Sequence, residues 1–339
     1  MDESAAETPT PRAALVTGGT GFIGANLVAG LNERGFPTRV LHRESSSRKA
    51  LAGLAYESVI GDILDDPAEL VTAMAGCDWV FHVAAVADYW RQGQEWIYRV
   101  NVQGTKNVLA AARLAGVRRL VFTSSLAALG VPPDGQLLDE ESEFNLPPTR
   151  SPYGHSKVLA EQAVRRAARE GLEAVIVNPS VVLGPRDVNL ISGSIIVEAA
   201  KGLLRVAPAG GVNFVDVADV VAGQIAAAEK GRPGERYILG GENVPYGEAV
   251  GTISRIVGRT PPRLTIPRWS LPLLASGVRA ARALLGNRVP LDENQVRMMG
   301  AYIYADSSKA RRELDLPHTP FTTTVQRTYN WYNRNGYLS

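Results

Sequence analysis

Over 339 residues, 36 Lys and Arg oppose 34 Asp and Glu, a net charge of +2, so neither a basic stripe nor a basic domain marks a nucleic-acid binder. Hydrophobic residues at 45% and charged residues at 21% describe a globular chain and exclude wholesale disorder. The single Cys77 excludes an intrachain disulfide and a cysteine-rich metal site, which fits a cytoplasmic home.

The start, residues 1–11, is acidic and rich in Thr and Pro and is expected to be a disordered tail without the marks of a signal peptide. An apolar run at 13–17 predicts a strand, and Ile23, Leu27 and Leu31 space a helix over 22–31. Further strands are expected at 38–42, 58–62, 79–83, 120–124 and 174–178, with a helix at 101–115. A second helix opens near Tyr153, with Leu159, Ala163, Val164 and Ala167 as its buried stripe. Strands interleaved with helices imply a doubly wound α/β Rossmann-type parallel sheet, assigned to residues 12–185. From 186 to 339 Pro and Gly become frequent. A smaller, partly helical substrate-binding region is expected there, with about 213–245 returning to the first sheet. The window 269–285 is interrupted by Arg279 and Arg282 and predicts an amphipathic helix rather than a membrane span; no membrane partner is expected.

Between the first strand and first helix, Gly18, Gly21 and Gly24 repeat at G-x-x-G-x-x-G spacing. A tight turn without side chains lets a backbone approach a pyrophosphate at a helix N-terminus, so the motif in this setting predicts a dinucleotide site. An acidic residue at the end of the second strand would select NAD(H). The residues there are His42-Arg43-Glu44, followed by three serines, Arg48 and Lys49. Arg43 with Arg48 can neutralise a 2′-phosphate, which favours NADP(H) over NAD(H). Asp62, at the end of the third strand, can accept from the adenine amino group.

Tyr153 and Lys157 are four residues apart and share a helix face. A phenol titrates near 10, and a neighbouring ammonium lowers that value toward use as a proton donor and acceptor. Ser125, just past the fifth strand, can orient a substrate carbonyl against Tyr153.

These residues resemble the extended short-chain dehydrogenase/reductases. The likeness runs from about Ala13 to Arg334 and is carried by the glycine turn, Gly61-Asp62, the stretches 81–85 and 101–105, Thr123-Ser124-Ser125, the stretch 153–157, and Asn178-Pro179-Ser180. It is nearest to dihydroflavonol-reductase-like proteins and to relatives called hopanoid-associated sugar epimerases. The resemblance implies Tyr153 as acid and base, Lys157 on the nicotinamide ribose and Ser125 as orienter. It also implies dinucleotide contacts by Thr20, Phe22, Ile23, Ile63, Ala84, Ala85, Pro179 and Ser180, and a structural role for Asn101.

The expected activity is NADPH-dependent reduction of an aldehyde or ketone. The alternatives are a nucleotide-sugar epimerase or dehydratase and, as a third reading, a non-catalytic NADP-binding regulator. Val212 stands where sugar-nucleotide relatives carry a diphosphate-binding Arg, and Leu126-Ala127 replace the Asp-Glu pair of the dehydratases. Arg186 and Arg205 could still bind phosphate. Val86, Tyr89, Trp90, Leu126 and Ser151 are expected to line an apolar substrate cleft. The resemblance allows a monomer or a homodimer.

Overall fold

A computed structural model describes residues 12–87, 92–286, 289 and 292–338. The first half runs β1 (Ala14–Thr17), α1 (Phe22–Glu33), β2 (Thr38–His42), β3 (Glu57–Ile60), α2 (Pro67–Met74), β4 (Trp79–His82), α3 (Gln94–Tyr98), α4 (Thr105–Leu114), β5 (Arg119–Thr123), α5 (Pro152–Arg169) and β6 (Ala174–Pro179). The rest runs β7 (Val181–Leu183), α6 (Ser194–Ala200), β8 (Val206–Pro208), β9 (Gly211–Asp216), α7 (Val217–Lys230), β10 (Arg236–Leu239), β11 (Glu242–Pro245), α8 (Tyr246–Ile256), β12 (Leu264–Ile266), α9 (Leu271–Leu285), α10 (Glu293–Met298), β13 (Tyr302–Ile303), α11 (Ser308–Leu314) and α12 (Phe321–Arg334).

Seven strands form one parallel sheet in the order β10-β6-β5-β4-β1-β2-β3. Successive side chains of a strand face opposite ways, and both faces here are covered. Ala14, Val16, Val121, Val175 and Val177 join α1 and α7 in one apolar layer. Leu15, Leu120, Phe122, Ala174 and Ile176 join α2, α4 and α5 in the other. This is the expected doubly wound sheet. Its strand order reverses between β1 and β4, the place where open α/β sheets as a class take ligands.

The stretch expected to return to this sheet divides in two. Helix α7 packs on α1, and β10 forms the sheet edge. Strand β9, however, is the centre of a second sheet with β7, β11 and β13. All six residues of β9 are buried because it is paired on both sides and covered by α12 and α8. A third piece, the β8–β12 ribbon and the α9–α10 pair, has its own small core of Leu271, Ala275 and Val296.

Candidate functional site

The turn after β1 is closed by the Gly21 amide donating to the Gly18 carbonyl (3.0 Å), and Gly21 precedes the first turn of α1. Gly18 sits at φ +70°, and a Cβ there would meet the Ala84 backbone nitrogen at 2.6 Å. A Cβ on Gly24 would meet the Gly18 carbonyl oxygen at 2.2 Å. No larger residue fits either position without moving backbone, so the turn, α1 and the end of β4 are locked together. The side-chain-free surface at a helix N-terminus fits a dinucleotide pyrophosphate. Thr20, Phe22 and Ile23 belong to this turn, and Ala84 and Ala85 to the chain leaving β4.

Under the turn, His82 Nδ1 lies 2.8 Å from Thr17 Oγ1 and Nε2 lies 3.0 Å from Thr105 Oγ1. Thr105 spends its hydroxyl proton on the Asn101 carbonyl (2.7 Å), so it accepts from Nε2–H, and Nδ1 accepts from Thr17. Burial and the nearby Lys157 pull the imidazole down to about 3, so His82 is neutral.

Helix α5 carries Tyr153 and Lys157. Pro152 at its first position and Ser151 before it set its start. Its buried face is Lys157, Ala160, Glu161, Val164 and Ala167. Leu159 and Ala163, expected in the stripe, are only half-buried. The helix is rotated because the face that meets the sheet is the one that runs through Lys157. The Lys157 ammonium donates to the Thr123 carbonyl (2.9 Å), lies 5.0 Å from the Phe122 ring centroid and 6.0 Å from that of Tyr153. Burial pulls it down to about 7, against the pull of Glu161 upward.

Glu161 is the keystone beneath. Its Oε1 accepts from Ser124 Oγ (2.5 Å) and Asn178 Nδ2 (2.7 Å), and Oε2 lies 3.6 Å from the Arg236 guanidinium. Asn178 also donates to the Ser125 carbonyl (3.0 Å), and Gln224 donates to the Thr123 hydroxyl (2.7 Å). The ends of β5 and β6 and helix α5 are thereby tied through buried polar bonds. Ser125 is extended and opens a short 3₁₀ turn, its Oγ accepting from the Ala127 amide (3.2 Å). Sequence reasoning missed Ser124, Glu161, Gln224 and His82. Their signal was polar residues at core-phase positions beside the motif, a phase read only for apolar residues.

Asn101 lies in one turn of π-helix, Arg99–Gly104, ahead of α4. Its amide holds the Val86 backbone (2.8 Å and 3.3 Å) and donates to Ser156 Oγ (3.0 Å), which donates to the Tyr153 carbonyl (2.7 Å). The 101–115 helix is thus wider at its start. Asn101 braces the Tyr153 turn against the segment after β4, the structural role implied for it.

Arg43 and Arg48 lie exposed on the loop beyond β2. Arg186, considered as a phosphate ligand, instead donates to the Ala50 and Ala52 carbonyls (2.8 Å and 3.2 Å) and braces that loop. Asp62 folds its carboxylate onto the Leu64 amide (3.0 Å), and Ile63 is buried beside Gly104. Pro179 ends β6, and the hydroxyl of Ser180 is buried with no protein partner, a polar group suited to a bound ligand. Val86 and Leu126 are buried, Ser151 is half-buried, and Tyr89 and Trp90 lie outside the described residues. Val212 is buried in the core of the second sheet. Among the described residues no cluster of His, Cys, Asp and Glu could hold a metal ion.

The sequence profile of the NAD dependent epimerase/dehydratase family matches residues 14–240. The chain is 40% identical to a Synechocystis protein named "Putative dihydroflavonol 4-reductase" over 96% of this chain and 95% of that one. It is 34% identical to "Sterol demethylase protein B" of Methylococcus capsulatus over 96% and 99% of the two chains. Among solved structures, that of gox2253 superposes with a TM-score of 0.85 at 35% identity, covering 97% of this chain and all of the other. With the glycine turn, the seven-stranded sheet and the Tyr153–Lys157 helix in place, the chain belongs to the NAD dependent epimerase/dehydratase family, the extended short-chain dehydrogenase/reductases, whose members are NAD(P)-dependent oxidoreductases, epimerases and dehydratases.

Proposed function

We propose that this protein is an NADPH-dependent reductase of an apolar aldehyde or ketone. The observation that carries the reading is Val212, buried among Phe214, Val244 and Phe321 where a sugar-nucleotide enzyme needs a diphosphate-binding arginine. A cationic side chain cannot take that place without a buried partner. Leu126, also buried, adds an apolar wall beside Ser125. The names of the two relatives, one a reductase of a dihydroflavonol and one concerned with a sterol, support an apolar substrate.

The residues fit a bound dinucleotide: the glycine cradle admits no side chain, and the Ser180 hydroxyl and Lys157 ammonium point chemistry at the same strand ends. When bound, the nicotinamide supplies the hydride. The Ser125 hydroxyl holds the carbonyl oxygen, and the Tyr153 hydroxyl donates the proton that turns it into an alcohol. Lys157, pulled well down by burial in the absence of ligand, would meet the ribose hydroxyls and favour loss of the phenol proton through its positive charge. The Thr123 carbonyl holds the Lys157 ammonium at the end of β5, where Glu161 ties the neighbouring strand ends together. Arg43 and Arg48 meet the 2′-phosphate.

Two measurements test this reading. Thermal unfolding in the presence of NADPH should be raised further by hydrophobic ketones and left unchanged by UDP- or dTDP-sugars; saturation at about 100 times Kd adds about 2.7 kcal/mol. Calorimetric titration should show Arg43→Ala weakening NADPH by about 1.5–3 kcal/mol with NADH unaffected. Stabilisation by a nucleotide sugar alone would replace the reductase with the epimerase reading.

A further inference from the structure

Helix α9 is apolar on two sides. Leu271, Ala275 and Val278 pack inward on Val296 and Ile266. At about 3.6 residues per turn the opposite side is Leu273, Gly277, Ala280 and Leu284, flanked by Leu274 and Leu285. Leu273 is 69% exposed and Leu284 85%, and Trp269, one turn ahead, is 75% exposed. A Cβ on Gly277 would meet nothing within 4 Å. In the adjoining ribbon, Leu264 and Val206 are register partners, and both are exposed. Isolated exposed leucines are ordinary, but a helix whose whole outer side is apolar is not.

The same segment is strongly basic. Residues 259–297 hold seven arginines against Asp292 and Glu293, a surplus of five in a chain whose total is +2. Within it, Arg268 pairs with Asp134 and Arg279 with Glu293. A second copy of this chain would bring the patch against itself, since two-fold interfaces are self-complementary, and would oppose two basic surfaces. An exposed apolar helix side in a segment of net positive charge matches an anionic bilayer surface instead.

We propose that α9, with Trp269 and the β8–β12 ribbon, docks this protein on the surface of an anionic lipid bilayer. Leucine and tryptophan side chains enter the interface while the segment's positive charge is drawn to lipid phosphates. The helix lies in the plane of the membrane. This is a different mode from spanning: among the described residues no helix is long and apolar enough to cross a membrane. The expectation of no membrane partner, drawn from the absence of a span, does not extend to this surface.

The test is co-flotation of the full chain with phosphatidylcholine vesicles and with vesicles containing phosphatidylglycerol. Binding should appear with the anionic vesicles and fall at least about five-fold in pure phosphatidylcholine or in high salt, the loss of about one arginine contact. L273D/L284D should reduce binding at least about ten-fold, and L273S/L284S in the same direction, with thermal midpoint and NADPH affinity unchanged because both leucines are exposed. The proposal is overturned by failure to float with anionic vesicles, by equal binding to neutral ones, or by wild-type binding of both variants. A dimer in light scattering that L273D/L284D dissociates would overturn it too, placing a second copy on the patch.

Discussion

Helices α5 and α9 both alternate apolar and polar residues, and they depart from an apolar-inside pattern in opposite directions. Helix α5 buries Lys157 and Glu161 against the sheet, each with named partners at the strand ends. Helix α9 exposes Leu273 and Leu284 and tucks only one narrow side into a small core. A buried charge must be held by surrounding hydrogen bonds, so α5 is a fixed part of a rigid scaffold. An exposed apolar side demands nothing of the fold. The departure on α5 coincides with the proposed dinucleotide site and that on α9 with the proposed bilayer surface.

That contrast can be broken by substitution. The largest effect is expected at Tyr153→Phe, which removes the transferable proton. Turnover should fall about 10²–10⁴-fold with thermal midpoint and cofactor affinity retained. Near-normal turnover would remove Tyr153 from the chemistry.

Next in size is Glu161→Ala, which strands Ser124, Asn178 and Arg236. Urea unfolding should show a loss of about 3–5 kcal/mol, whereas Leu284→Ala on α9 should change stability by less than about 0.5 kcal/mol. Comparable losses at the two sites would erase the distinction between the helices.

The glycines sharpen it further. Gly24→Ala places a Cβ against the Gly18 carbonyl oxygen and should weaken dinucleotide binding in calorimetry even where the fold survives. Gly277→Ala enters open space in mid-helix and should add about 0.5–1 kcal/mol to stability.

A further difference lies in pH dependence. Lys157 lies near 7 in the fold against an ordinary 10.5, so the unfolded chain binds the extra proton between those values. Its contribution to stability is therefore unfavourable below about pH 7 and is relieved as pH rises toward 10.5. In the ligand-free protein, Lys157→Met should remove that rising component from a stability–pH curve. An unchanged curve would mean that Lys157 is not desolvated.

The sheet was legible because β1, β4, β5 and β6 are short apolar runs bounded by turn residues and separated by helical stretches, the pattern of strands covered on both faces. The glycine turn was legible for a steric reason that the Gly18 and Gly24 contacts now show. Glu161 was not, since a carboxylate on a helix reads as a solvated side until the partners from β5, β6 and β10 are assembled around it. The second sheet was also hidden: β9 and β11 are joined by the α7–β10 excursion, and no local pattern tells a strand which sheet it will enter. Helix α9 was read as amphipathic, but its outward side could be identified only once Leu271 and Ala275 were seen to face in.

The most direct measurement of the central claim follows a label. Wild-type protein is given NADPH deuterated at the transferable position together with a panel of hydrophobic aldehydes and ketones, and with nucleotide sugars in parallel. The account predicts one deuterium in the carbinol carbon of the alcohol for each NADPH oxidised, and no reaction of the sugars. Inversion of a sugar carbon without net oxidation of NADPH, and no label in any alcohol, would contradict it.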